Sequence, residues 1–135
     1  MKFAAALFAA GASAATFSVS DFSAGCIRHS TQCLYSFTVI QPSSMETTGV
    51  KCSTQVPANV GGTLPDVKDA ACTESSRTFS IVKGADGLTL TVSQQVTPSS
   101  FQTGSHLLPN DQLVTSNDPN AVVQSYTGPT TFDLN

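Results

Sequence analysis

The stretch Arg77–Val96 constrains this chain more than any other. Phe79 and Ile81 alternate with Thr78 and Ser80. After Gly84-Ala85-Asp86-Gly87 the rhythm resumes, with Leu88, Leu90 and Val92 set against Thr89, Thr91 and Ser93. Strand side chains point to opposite faces with a period of two, so each run has one dry and one wet side. On a helix, residues two apart diverge by about 200° and would leave no shared apolar stripe. Two such runs around a glycine-containing turn read as a β-hairpin.

The same period recurs along the chain. Thr16–Phe22 reads as a strand with Phe17 and Val19 inward. Cys33–Ile40 carries Cys33, Tyr35, Phe37 and Val39 on one side and stops before Pro42, which has no N–H for a ladder. Val50, Cys52, Thr54 and Val56 alternate again. Gln102–Leu108, Gln112–Thr115 and Ala121–Tyr126 are shorter candidates, separated by Pro109-Asn110-Asp111 and Asn117-Asp118-Pro119-Asn120. Pro57–Asp66 reads as a loop, and Val67–Ser76 is expected to hold one helical turn at most. Turn residues at spacings near ten point to an all-β fold, a compact antiparallel β-barrel or sandwich of about seven or eight strands.

The first fifteen residues read as an address rather than as structure. Lys2 precedes the apolar run Phe3–Ala10, and Ala12-Ser13-Ala14 fits the small-x-small pattern of a signal peptidase site. Ala14 and Ala15 are therefore the expected cleavage residues, with residues 1–15 a signal peptide and 16–135 one secreted β-domain. The run is shorter than the ~20 apolar residues a bilayer span needs, and no later run reaches that length. Without Lys2 the chain carries five cations against nine anions, which offers no basic footprint for nucleic acid and no attraction to an anionic membrane. No Asn-x-Ser/Thr sequon follows Asn59, Asn110, Asn117 or Asn120.

Cys26, Cys33, Cys52 and Cys72 all lie beyond the leader, and in an oxidising compartment an even set forms disulfides. Three connectivities exist. The pairs Cys26–Cys33 and Cys52–Cys72 are favoured, because nested or crossed arrangements demand more chain reversal. None of the spacings is the short Cys pair of a zinc site, and His29 and His106 stand apart from one another.

The parts of a catalytic site are sparse. A nucleophile needs a base held by a third group. His29 precedes Ser30 and His106 follows Ser105, but 34 of residues 16–135 are Ser or Thr, so adjacency carries little weight. A hydrolase would require Asp21, His29 or His106 to converge in one cleft. Glycoside hydrolysis needs paired carboxyls, and Glu46 and Glu74 are the two glutamates, both in expected loops. Asp66, Asp69, Asp86, Asp111 and Asp118 fall where turns are expected, and Asp bonds local backbone there. The reading is no enzyme, no cofactor and no metal. A small barrel holding an apolar or phenolic ligand would need an interior cavity lined by residues such as Phe37, Leu90 and Phe101.

Phe17-Ser18-Val19-Ser20-Asp21-Phe22, the aromatic strand Cys33–Val39, and the run from Lys51-Cys52 through Cys72 to Phe79-Ser80-Ile81 and Leu88–Val96 resemble fungal secreted proteins of the Alternaria major-allergen-like family. They are close to its hypersensitive-response-inducing elicitors. The resemblance implies a β-barrel exported by a fungus, recognised by a plant extracellular or cell-surface protein, that triggers defence and local cell death. It carries over the Cys52–Cys72 pairing and no catalytic residue. No cysteine follows Cys72 to form the allergen's second C-terminal disulfide, and the cysteine that joins the allergen's dimer is missing. A monomer is expected.

Overall fold

A computed structural model describes residues 16–27, 31–42, 48–59, 62–73, 75–118 and 121–135. Met1–Ala15, with the expected cleavage residues Ala14 and Ala15, lies outside the described residues, as do His29, Glu46 and Glu74. Among the described residues ten strands follow in order: β1 Phe17–Cys26, β2 Gln32–Ile40, β3 Val50–Pro57, β4 Val67–Ala71, β5 Thr78–Gly84, β6 Gly87–Thr97, β7 Ser100–Pro109, β8 Leu113–Asp118, β9 Ala121–Tyr126 and β10 Phe132–Leu134. A 3₁₀ turn, Asn110–Gln112, joins β7 to β8. All eight strands expected from the alternation are present. Val67–Ala71, expected to be at most a helical turn, is a strand, and Phe132–Leu134 adds another.

The strands form two antiparallel sheets packed as a sandwich. One runs β3-β2-β1-β9-β8, with β10 also pairing β1; the other runs β4-β5-β6-β7. Two neighbours share one side of β1. Phe17–Val19 pairs with Leu134–Phe132 of β10, whereas Gly25 pairs with Ser125 of β9.

β1 changes phase partway along. Phe17 and Val19 are buried, and then Phe22 and Ala24, so the inward set moves from odd to even positions. The cause is a β-bulge between Ser20 and Ser23, where Asp21 and Phe22 of β1 face the single residue Phe37 of β2, with Asp21 at φ 54°. β4 has the same device: its register against β5 slips between Val67 and Ala70, and Asp69 lies at φ 51°. Asp is among the few L-residues that enter this left-handed region at small cost.

The central hairpin is tighter than its sequence suggests. Gly84 pairs with Gly87, leaving Ala85 and Asp86 as a two-residue loop. Gly87 has φ 144°, and a Cβ there would sit 2.1 Å from the carbonyl oxygen of Leu108. Only glycine fits where β7 passes so close.

Between the sheets lies one continuous apolar core that includes Phe17, Phe22, Tyr35, Phe37, Phe79, Ile81 and Leu90, all essentially fully buried. The rings of Phe22 and Phe37 lie 5.9 Å apart, and those of Phe37 and Phe79 meet edge to face at 5.0 Å. Leu64, from the loop after β3, closes one end of this core, and the Tyr35 hydroxyl donates to the neighbouring Pro65 carbonyl at 2.7 Å. At the other end Arg77, only 2% exposed, spans the sheets. Its guanidinium lies over the ring of Phe17 and donates to the Val39 carbonyl and to Gln94 Oε1.

The disulfides are Cys26–Cys33 and Cys52–Cys72. Cys26 and Cys33 are directly opposite in the β1–β2 ladder, so the first bridge closes a hairpin. The second joins β3 of one sheet to the residue after β4 of the other, and the Thr73 N–H donates to Lys51 O beside it. The opposite flank is sealed by backbone: Ser105 of β7 and Asn135 exchange N–H···O bonds of 3.0 and 3.1 Å.

Candidate functional site

Two surface features stand out, and neither is a cluster of reactive side chains. The first is the tip of the β6–β7 hairpin. Every residue from Gln95 to Phe101 is exposed, and within that run Val96 is 62% and Phe101 63% exposed. A register shift between Gln95 and Thr97 accompanies the turn, and Phe101 pairs with Gln95. The outward face behind the tip is uncharged on these two strands. Thr89, Thr91 and Ser93 of β6 lie beside Leu107, Ser105 and Thr103 of β7, and the Thr91 and Ser105 hydroxyls bond at 2.9 Å. Val82 of β5 and Leu107 flank Thr89 in one cross-strand row, and both are exposed.

The second feature is a surface groove of about 410 Å³. It opens near where β9 and β10 part along the side of β1. Phe22, Ala24 and Tyr126 contribute to its lining, with half-exposed Ile27 and Leu34 beside the Cys26–Cys33 bridge and Thr130 on the loop before β10. That loop is tied down by the Phe22 N–H donating to Thr130 O at 3.0 Å. The Tyr126 ring meets Phe22 edge to face at 5.1 Å, and its hydroxyl donates to Pro129 O. Partial burial pushes the ionisation of Tyr126 upward, so the phenol stays a neutral hydrogen-bonding group.

Of the residues weighed for hydrolysis, Asp21 and His106 lie on different elements. Asp21 occupies the β1 bulge with its side chain in solvent. His106 lies on β7 and stacks on Phe132 of β10, ring centroids 4.1 Å apart, with burial depressing its pKa. It serves the seam between β7 and β10. Among the described residues no group of three or more His, Cys, Asp or Glu could hold a metal, and no helix is long and apolar enough to cross a membrane.

Two expectations about aspartates and one about the interior change. Asp66 accepts the N–H of Lys83, seventeen residues away, rather than bonding its own loop. Asp69 sits in a strand bulge, not a turn, and its N–H donates to Ser80 Oγ. Phe37 and Leu90 are buried in the core, while Phe101 stands outside it, so the three do not line a common interior cavity.

Sequence reasoning missed the groove, because it arises where two strands diverge along a third. The exposed Phe101 carries a faint signal: it follows Pro98-Ser99-Ser100, and a turn tip is where an aromatic side chain escapes burial. Compared with protein-family models, curated proteins and solved structures, the chain matches none.

Proposed function

We propose that this chain acts outside the cell as a secreted fungal effector or elicitor, recognised through its surface by a plant extracellular or cell-surface protein and inducing defence or hypersensitive cell death. The observation that carries this reading is the β6–β7 tip, where Phe101 and Val96 are held in solvent at the end of a long hairpin. Large apolar side chains gathered on an exposed tip mark partner sites, and aromatic residues dominate the energetics of such contacts. Two disulfides suit an oxidising extracellular compartment.

The test is infiltration of the purified, oxidised protein into leaves beside a Phe101→Ala variant. Cell death or defence output from the native protein, and its loss in the variant with both disulfides intact, supports the reading. No response in any host tissue at roughly micromolar dose, a typical protein–protein affinity range, overturns it.

A second reading has one specific observation behind it. The groove beside Tyr126 falls in the ~300–1,000 Å³ range of small-molecule sites, and Phe22, Ile27 and Leu34 give it an apolar lining. An apolar or phenolic ligand would bind there rather than inside the sandwich. The chain has no Trp and only two Tyr, so quenching of Tyr126 emission on titration is a direct readout.

A further inference from the structure

We infer that Cys26 is a thiol–disulfide exchange site: a small thiol entering the groove attacks its sulfur and opens the Cys26–Cys33 bridge while the sandwich stays folded. The inference uses the groove as an opening only. It is independent of the elicitor reading and of any ligand held there.

The two ends of this bridge have different surroundings. Cys26 is half-buried and contributes to the groove lining, in line with Phe22 and Ala24 on the same strand. Cys33, directly opposite it in the β1–β2 ladder, is fully buried. The loop after β3 seals that end. The Thr63 carbonyl oxygen lies 3.8 Å from Cys33 Sγ, and the next residue, Leu64, donates its N–H to Gln124 Oε1 at 2.9 Å. Gln124 in turn donates its own N–H to Gly62 O at 3.0 Å, so β9 pins the loop from both sides of Thr63. Which sulfur an incoming thiolate can reach decides where exchange begins. In the other bridge Cys52 is 0% and Cys72 4% exposed, so both ends are closed.

The chemistry is ordinary exchange. A thiolate forms a new S–S bond to Cys26 Sγ, the bond between Cys26 and Cys33 breaks, and Cys33 leaves with the electron pair. The Cys33 thiolate takes a proton from water, and its S–H then has the Thr63 carbonyl as an acceptor. With a monothiol the product is a mixed disulfide on Cys26. A second thiol displaces Cys26 from that adduct, so two thiols are oxidised to one disulfide and the bridge gains two electrons and two protons.

The fold does not depend on this bond. Ser23–Cys26 pairs with Ser36–Cys33 along the ladder, and beyond the bridge the Ile27 N–H donates to Gln32 O at 2.8 Å. β2 is held on its far side by β3, from Gln32 opposite Pro57 onward, and the Ala58 N–H donates to Thr31 O at 2.7 Å. Gly25 is held to Ser125 of β9. These backbone pairings keep the two cysteines facing one another when the bridge is open, so it can close again. Cys52–Cys72 is placed otherwise, since it joins the two sheets.

The test holds the oxidised protein in glutathione at graded thiol-to-disulfide ratios without denaturant, quenches with acid, alkylates the free thiols and maps the peptides. Cys26 and Cys33 should be labelled while Cys52–Cys72 stays joined, with the near-ultraviolet circular dichroism of the aromatic core retained. Glutathione adducts on Cys26 should outnumber those on Cys33 by at least about tenfold. Single variants check the same asymmetry. Cys26 in Cys33→Ser should react with glutathione disulfide at least about tenfold faster than Cys33 in Cys26→Ser. A cooperative thermal transition and an intact Cys52–Cys72 show that each variant folds, and the map of the native chain decides where one does not. Loss of Cys52–Cys72 before or together with Cys26–Cys33 overturns the inference. Adducts mainly on Cys33, equal rates in the two variants, or a Cys26–Cys33 bridge that stays closed at reducing ratios overturn it equally.

Discussion

The Tyr35 hydroxyl donates to the carbonyl of Pro65 across 2.7 Å, fixing β2 to the loop whose Leu64 closes the core. Burial first, and the charge of Asp66 second, push the ionisation of Tyr35 well above its ordinary value of 10.0. A raised folded pKa means the neutral phenol is what the fold favours. Its contribution is complete below the unfolded value near 10 and is lost as pH rises beyond it. Tyr35→Phe leaves the Pro65 carbonyl without this donor and should cost about 1–2 kcal/mol at neutral pH in urea unfolding. The variant should also show a shallower loss of stability above pH ~10. Some slope should survive, because burial raises Tyr126 as well.

The two disulfides should differ in what their removal does. Cys26–Cys33 spans seven positions within a hairpin that the β1–β2 ladder already holds. Cys52–Cys72 spans twenty and joins the two sheets. Loop entropy alone gives about 2 and about 3 kcal/mol. The difference should widen in practice, because without the second bridge the β3–β4 flank keeps little but the Thr73–Lys51 bond. Chemical unfolding of Cys26→Ala/Cys33→Ala should remain cooperative with a modest loss. Cys52→Ala/Cys72→Ala should unfold at markedly lower denaturant.

At the β1 bulge, Asp21→Val should destabilise the protein by about 1–2 kcal/mol, since a β-branched residue resists the left-handed region. Asp21→Gly should be close to neutral. Thermal unfolding of the pair separates backbone conformation from loss of the carboxylate, because both variants lose the charge.

That bulge also marks how far the fold could be read in advance. Phe17 and Val19 followed by Phe22 and Ala24 is a period-two pattern with one residue inserted, so the slip is written in the chain. β4 hides its nature, because its bulge at Asp69 erases the alternation and Val67 alone is fully inward. β10, at three residues, is too short for a period to show; it exists because Phe132 and Leu134 pair with β1. Gly104 faces Leu134, whose atoms a Cβ at that position would crowd at 2.9 Å. Such an approach across thirty positions of sequence leaves no local signal. The hydroxyl-rich wet face of the central hairpin was legible; the groove depends on strand order and was not.

Arg77 looks like an ordinary solvated residue flanking the hairpin, yet it is buried between Phe17, Val39 O and Gln94. Removing a buried cation strands the groups that solvate it. Arg77→Ala should cost about 3 kcal/mol. Arg77→Lys should recover less than half of that, because an ammonium cannot reproduce the planar fork that donates to two acceptors while lying over a ring. Urea midpoints of the two variants, with near-ultraviolet circular dichroism reporting the aromatic core, test the ordering.

His106 should make the β7–β10 seam acid-sensitive. Its ring stacks on Phe132 at 4.1 Å with planes 12° apart, and the adjacent Ser105 carries the paired bonds to Asn135. Burial lowers its pKa below the ordinary 6.5, so the folded state favours the neutral imidazole. That preference is fully present above the unfolded value and is lost as pH falls through the folded one. Amide exchange at Ser105 and Asn135 should therefore quicken as pH drops below about 6.5, after correction for the intrinsic rate. His106→Phe keeps a ring on Phe132 and removes the titration, so its seam should hold to lower pH. Equal acid sensitivity in the variant would assign the effect to other groups.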